Sequence, residues 1–169
     1  MELFPVVNEQ NQVIGSATRF ECHNGSFMLH PVVHLHVFNS HGDLYLQKRA
    51  MNKDIQPGKW DTSVGGHVDF GETIEEALAR ETFEELNIVE FEPQFLFRYI
   101  FTSSVERELI TAFYTCHNGL ITPCQLEIEE GRFWSIQDIE QAIGTAIFTP
   151  NFEQEFKLLR TSIQNLNLH

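Results

Sequence analysis

"GHVDFGETIEEALARETFEELNI", residues 66–88, is the stretch on which the reading of this chain turns. Its first part, with Gly66, His67 and Gly71, is turn-forming. Its second part, Thr73 to Leu86, holds no internal Gly or Pro and opens on acids, as a helix N-terminus does. Asn87 tolerates left-handed backbone and marks the expected helix end. At about 100° per residue, Ile74, Ala77 and Leu78 define an apolar stripe, and Glu81 and Glu85 fall near its centre. Glu84 borders that face, whereas Glu76, Arg80 and Phe83 lie roughly opposite.

Two acids therefore point where the pattern asks for apolar side chains. Converging carboxylates taken out of water repel one another and lose hydration, so they must be protonated, paired with bases or bound to a cation. Oxygen donors in this number favour Mg2+ or Mn2+. The competing reading is a solvated helix that neutralises itself through Glu76 with Arg80 and Arg80 with Glu84. Charge clustering alone does not separate the two.

Outward from this stretch, period-two alternation predicts strands. "LFPVVN" (3–8) and "QVIGSATRF" (12–20) flank a polar connection, and "HPVVHLHVFN" (30–39) and "DLYLQKRA" (43–50) flank "SHGD", so two early hairpins are expected. "QFLFRYIF" (94–101), "ELITAFYTCH" (108–117) and "QLEIEEGRFWS" (125–135) read as further strands. Helical patterns follow at about 136–143 and 151–166. This order predicts a mixed sheet covered by helices. No linker or repeat interrupts the chain, so residues 1–169 are expected to form one domain.

A formal net charge of −13 repels polyanions and argues against a nucleic-acid polymer or an anionic membrane as partner. Cys22, Cys116 and Cys124 show no CxxC pairing and are expected as buried free thiols. The start "MELFPVVNEQ" lacks the pattern of a signal peptide, so a cytoplasmic setting is the default expectation.

The spacing of Gly66, Glu72, Arg80-Glu81, Glu84-Glu85 and Asn87-Ile88 resembles the signature box of the Nudix hydrolases. Thr82 stands where an aliphatic residue is usual and Asn87 where glycine is usual; neither departure removes a carboxylate. The resemblance implies an α/β/α sandwich with a mixed sheet and a loop-helix-loop box. It implies that Glu81, Glu84 and Glu85 bind divalent cations on a diphosphate substrate, with Arg80 orienting the cluster. "GKWDTSVGGHVDFGET", "LQKRAMNK" and "HNGSFMLH" further resemble the isopentenyl diphosphate isomerase subgroup, over roughly residues 3–152. That subgroup carries a second metal site of histidines and glutamates, and the matching positions are His23, His30, His67, Glu106 and Glu108. Alternation puts Glu106 and Glu108 on one strand face, and His30 on one face with His34 and His36. His34 and His36 are expected to be exposed or hydrogen-bonded strand histidines.

The isomerase needs an acid-base pair across its hydrocarbon substrate, a cysteine and a glutamate. The glutamate position is Glu108, but the cysteine position is Gly65, and the position of a further tryptophan is Asn151. These losses favour hydrolysis: Mg2+ or Mn2+ on the box glutamates, Glu81 or Glu108 as base, and water attacking phosphorus in a small diphosphate metabolite. Arg49, Lys53, Lys59 and Gly66 are the expected substrate contacts. Residual isomerase activity and a non-catalytic domain sensing a diphosphate ligand are the alternatives, and a homodimer is left open.

Overall fold

The computed structural model describes residues 1–53 and 55–166, the Leu166 side chain excepted, so residue 54 and residues 167–169 of the expected domain span lie outside the described residues. In chain order the elements are β1 (Leu3–Val7), β2 (Val13–Thr18), α1 (Arg19–Cys22), β3 (Leu29–Phe38), β4 (Leu44–Arg49), β5 (Trp60–Asp61) and β6 (Val64–His67). They continue with α2 (Ile74–Leu86), β7 (Gln94–Thr102), β8 (Arg107–Cys116), β9 (Ile128–Trp134), α3 (Ile136–Ala142) and α4 (Pro150–Leu166).

β3 is the axis of a seven-stranded sheet ordered β5-β4-β3-β8-β7, with β6 on β3 and β9 on β4. β3 runs parallel to β8, from Leu29 opposite Arg107 to Phe38 opposite Cys116, and antiparallel to β6. Strict alternation along β3 then assigns two faces. Val33, Leu35 and Val37 pack with Phe113 of β8 and with Ala77, Leu78 and Leu86 of α2. Across the sheet, Leu44 and Leu46 of β4 pack with Ile139 of α3 and with Phe152, Phe156 and Leu159 of α4. Helices cover both faces, which is the expected α/β/α sandwich on a mixed sheet.

Two local expectations change. β1 and β2 form the first hairpin, but β3 and β4 pair only at Phe38 and Leu44. Residues Val32 to Leu35 spend that edge of β3 on His67 to Val64 of β6, so β4 diverges and pairs with β5 and β9 instead. Neighbour-to-neighbour reading cannot see such a long-range claim on a strand edge. The second strand also ends before Arg19. Thr18 accepts from the Glu21 amide at 3.2 Å while the Glu21 carboxylate accepts from the Thr18 amide at 2.7 Å, a capping box that turns the chain into α1. His23 is the residue that closes this turn, and so the box sets its position.

Among the cysteines only Cys22 is buried; Cys116 is exposed and Cys124 half-buried, because the register ends β8 at Cys116 on the surface. Trp60 and Trp134 meet edge to face at 5.3 Å in the α4-side core, and Arg132 lies 3.9 Å over the Trp134 ring. Among the described residues no helix is long and apolar enough to cross a membrane.

Candidate active site

α2 begins at Thr73, whose hydroxyl accepts from the Glu76 amide, and ends at Asn87 in left-handed backbone (φ 57°) with its amide donating to Phe83. Asn87 is locked there by a side-chain bond of 2.7 Å to the Thr122 carbonyl. The helix buries Ala77, Leu78, Thr82, Glu85 and Leu86. Glu85 is 6% exposed. Its carboxylate accepts from Gln47 Nε2 at 2.8 Å and from the Gly65 amide at 3.3 Å. Glu81, one turn earlier, folds over Gly66, where a Cβ would stand only 2.5 Å from its Oε1. Glycine suits this position by close approach rather than by backbone angle, since any Cβ would push the Glu81 carboxylate aside. Burial pushes both carboxyls upward, Glu85 well above the usual range, with the charge of Glu81 adding to the rise at Glu85 and that of Glu84 to the rise at Glu81.

Glu84 differs from its expected place on the border of the buried face: its side chain is 55% exposed, and among the described residues only Arg80 reaches it, at 3.3 Å. Arg80 differs too. Its Cα lies off the buried stripe, but the long side chain runs back toward the helix start. There Nε and Nη2 hold Glu72 in a two-pronged pair at 2.8 and 2.9 Å, Nη1 donates to Glu81 at 2.7 Å, and Nη2 also reaches the His67 carbonyl at 3.0 Å. The bonds to Glu72, ahead of those to Glu81, hold the guanidinium in its charged form. One cation thus ties the turn at 67–72 to the acidic helix.

The second cluster lies where α1, β3, β6 and β8 meet. His23, His30, His67 and Glu106 each bring a ligand atom within 4.8 Å of the others. His23 Nε2 is 3.2 Å from His67 Nε2 and 2.7 Å from Glu106 Oε2, and Glu108 Oε2 is 3.8 Å from His67 Nε2. His30 Nδ1 is 3.0 Å from the Met28 carbonyl, so it carries the proton and donates; the free lone pair is then on Nε2, pointing inward. His30 Nε2 is a buried polar atom with no hydrogen-bond partner among the described residues, and Glu106 Oε2, close as it is to His23 Nε2, is not aligned for a hydrogen bond with it. Burial lowers all three imidazoles, His23 to about 4, and raises Glu106 and Glu108, the latter to about 8. Phe4 closes one wall, stacked 4.6 Å from the His67 ring.

A NUDIX domain model matches residues 28–156. The chain belongs to the Nudix family. It is 29% identical over 92% of its length to isopentenyl-diphosphate Delta-isomerase 1 of Photorhabdus laumondii, covering 93% of that protein. It is 33% identical to an uncharacterized Nudix hydrolase of Pseudomonas aeruginosa, covering 78% of each chain. Among solved structures, a Deinococcus radiodurans protein superposes with a TM-score of 0.78 over 95% of this chain and 99% of that one, at 24% identity.

Within this Nudix fold the expected substrate cations are placed unevenly. Arg49 donates from Nε to the Ile55 carbonyl at 3.0 Å and lies 3.9 Å from Asp61, so it braces the loop before β5. Lys53 and Lys59 are half-buried in that same loop and form no ion pair among the described residues. Two features escaped the sequence reading. Gln47 reaches Glu85 from β4, a contact no spacing rule foretells. The second is Glu155 of α4 as partner of His34 and His36, which are hydrogen-bonded strand histidines, one of the two expected states, and buried: His34 Nδ1 is 2.8 Å from Oε1 and His36 Nε2 2.5 Å from Oε2. Tyr99 donates to the same carboxylate at 2.6 Å. The signal available was Glu155 itself, an acid in an otherwise apolar helix face with Phe152, Phe156 and Leu159.

Proposed function

We propose that this chain is a divalent-metal-dependent hydrolase that cleaves a diphosphate linkage in a small metabolite. The observation that carries the reading is half-buried Glu81 beside buried Glu85, held against Gly66 and Gly65, with Arg80 satisfying only one of them. Two carboxylates held together out of water require positive charge, and oxygen donors suit Mg2+ or Mn2+. Glu81, Glu85 and the exposed Glu84 would hold it. When bound, such an ion supplies charge that neutralises phosphate oxygens and makes a nearby water more acidic.

The chain's own residues supply the rest. Arg80 keeps Glu72 and Glu81 in place and fixes the turn that presents Gly66. The bare backbone at Gly66 lets the Glu81 carboxylate pack against β6, beside Glu85. Glu81 or Glu108 removes the proton of the attacking water; burial raises the pKa of both, Glu108 to about 8, which makes each a stronger base than an exposed acid. Lys53 and Lys59 supply cationic contacts to phosphate, and Arg49 shapes the loop that carries them.

His23, His30, His67, Glu106 and Glu108 fit a second cation. Neutral imidazoles and the Glu106 carboxylate converging on one point, with His30 Nε2 lacking a hydrogen-bond partner, form a mixed N/O donor set. A second reading, isomerisation, is favoured by the likeness to the Photorhabdus laumondii isomerase over nearly the whole chain and by the presence of Glu108. Gly65 opposes it, since no side chain is available there to complete the proton-transfer pair.

The reading is tested by incubating the purified protein with Mg2+ or Mn2+ and a panel of nucleoside diphosphate derivatives and prenyl diphosphates, scored by mass spectrometry. Cleaved diphosphates are expected, with no product after chelation. Conversion of isopentenyl to dimethylallyl diphosphate without phosphate release would instead support the second reading. Gly66→Ala is expected to displace Glu81 and to weaken Mn2+ binding by roughly 10- to 100-fold in a calorimetric titration, the scale for disturbing a ligand's support. Unchanged affinity would remove Glu81 from the ligand set.

A further inference from the structure

Alternation along β4 sends one polar side chain toward the acidic helix. Leu44 and Leu46 enter the α4-side core and Tyr45 the α2-side core, so Gln47, two residues on from Tyr45, faces α2. Its backbone is paired on both edges, opposite Asp61 of β5 and Gly131 of β9, and two neighbouring strands therefore fix its Cα. From there Nε2 donates to the Ser63 carbonyl at 3.1 Å and to Glu85 Oε1 at 2.8 Å.

These two acceptors use both hydrogens of the amide. Turned over, the amide would set its oxygen against the Ser63 carbonyl and lose both bonds, so the network itself fixes which end faces Glu85. Ser63 is equally constrained. It is fully buried where β3 and β4 part, and its hydroxyl accepts from the Val37 amide of β3 at 3.0 Å and donates to the Tyr45 carbonyl of β4. Gln47 is thus tethered by one hydrogen to a rigid seam of the sheet and by the other to Glu85.

Glu85 is held from three places. Gln47 bonds Oε1, the Gly65 amide of β6 reaches Oε2 at 3.3 Å, and the Cys124 amide, between β8 and β9, bonds the Glu85 carbonyl at 2.8 Å. Among the described residues the donors on its two carboxylate oxygens are neutral amides, whereas Arg80 is taken up by Glu72, Glu81 and Glu84. An amide orients a carboxylate without supplying a positive charge that competes with a cation. A lysine or arginine at 47 would take the cation's place.

We propose that Gln47 is a positioning residue of the candidate metal site, whose amide locks the Glu85 carboxylate in the orientation that presents it beside Glu81. The proposal rests on the diphosphate-hydrolase reading, in which Glu85 is a metal ligand, and adds to it a residue that touches neither metal nor substrate. Without the Gln47 amide, Oε1 loses its partner and the carboxylate is free to turn on its last torsion. Binding a cation must then also restore the lost orientation. Support of this kind to a ligating group is worth roughly 10- to 100-fold in metal affinity.

Mn2+ titration of the purified protein, followed through the electron paramagnetic resonance signal of the free ion, provides the test. Comparison of wild type with Glu85→Gln defines the binding that depends on this carboxylate. Gln47→Met keeps the length of the side chain but removes the amide. It is expected to weaken the Glu85-dependent binding roughly 10- to 100-fold and to leave the binding that survives Glu85→Gln unchanged. In the Glu85→Gln background the same change should alter affinity by no more than about twofold, because residues acting through one contact are not additive. Gln47→Asn, which draws the amide back by one methylene, should behave like Gln47→Met and covers the case in which the latter fails to fold. Unchanged Glu85-dependent affinity in a folded variant, an equal loss in the Glu85→Gln background, or no Glu85-dependent binding by the wild type would overturn the proposal. Assays of the same samples with the diphosphate panel keep the two readings apart. Gln47-dependent Mn2+ binding without cleavage would sink the hydrolase reading alone, and cleavage with an affinity untouched by Gln47→Met would sink the positioning role alone.

Discussion

Glu85→Gln is expected to lower turnover of any diphosphate substrate by roughly 10²- to 10³-fold, the scale of removing one preorganised electrostatic partner from a water-poor site. The substitution keeps the shape of the side chain but removes the charge that would hold a cation. It also turns an acceptor into a donor. The Glu85 carboxylate accepts from both Gln47 and the Gly65 amide, so the new amide group must face one of these donors. A loss confined to kcat, with the fold intact by circular dichroism, is the expected signature. Glu84→Gln provides the contrast: among the described residues its exposed carboxylate is held by Arg80 alone, so its replacement tests metal binding without disturbing a buried network. Full activity of a folded Glu85→Gln protein would remove this residue from the catalytic machinery.

Glu155→Leu is expected to be the most destabilising single change outside the glutamate cluster. It leaves His34, His36 and Tyr99 without the carboxylate they share, and breaking a buried charged pair by removing one partner costs about 3–5 kcal/mol. For a domain of this size that corresponds to a fall in Tm of roughly 10 °C. The pH dependence follows from the two partners. His34 is raised from 6.5 to about 9, so its contribution is complete below 6.5 and is lost as pH rises through 9. Glu155, despite its burial, is lowered from 4.5 by His34 first and then by His36, so its contribution is present above 4.5 and is lost as pH falls through its lower folded value. The Tm difference between wild type and variant should therefore be largest between about 4.5 and 6.5 and shrink toward pH 9. A difference that grows toward alkaline pH would show that the pair is not a carboxylate and an imidazolium.

Much of this architecture was legible from local rules. The caps at Thr73 and Asn87, the acids on the buried face of α2 and the alternation along β3 and β8 are properties of neighbours in sequence, and the helical and pleated periods carry them directly. The hairpin between β3 and β4 stops after a single pair because β6 competes for the same edge, a contest decided by residues some thirty positions away. Arg80 escaped for a different reason. Periodicity places its Cα, but a long side chain can reach back across a turn to Glu72 and the His67 carbonyl.

The sequence by itself determined the Nudix pattern, the carboxylates at 81, 84 and 85, and the candidate ligand set of three histidines and two glutamates, because those depend on residue type and spacing. Only the tertiary structure decided what each could meet. It buried Glu85 and left Glu84 in solvent. It set Gly66 under Glu81 and Gly65 beside His34, and it brought Glu155 from the last helix onto two histidines that alternation alone presented as ordinary strand residues. These are contacts between elements distant in sequence, made by packing, and no local period encodes them.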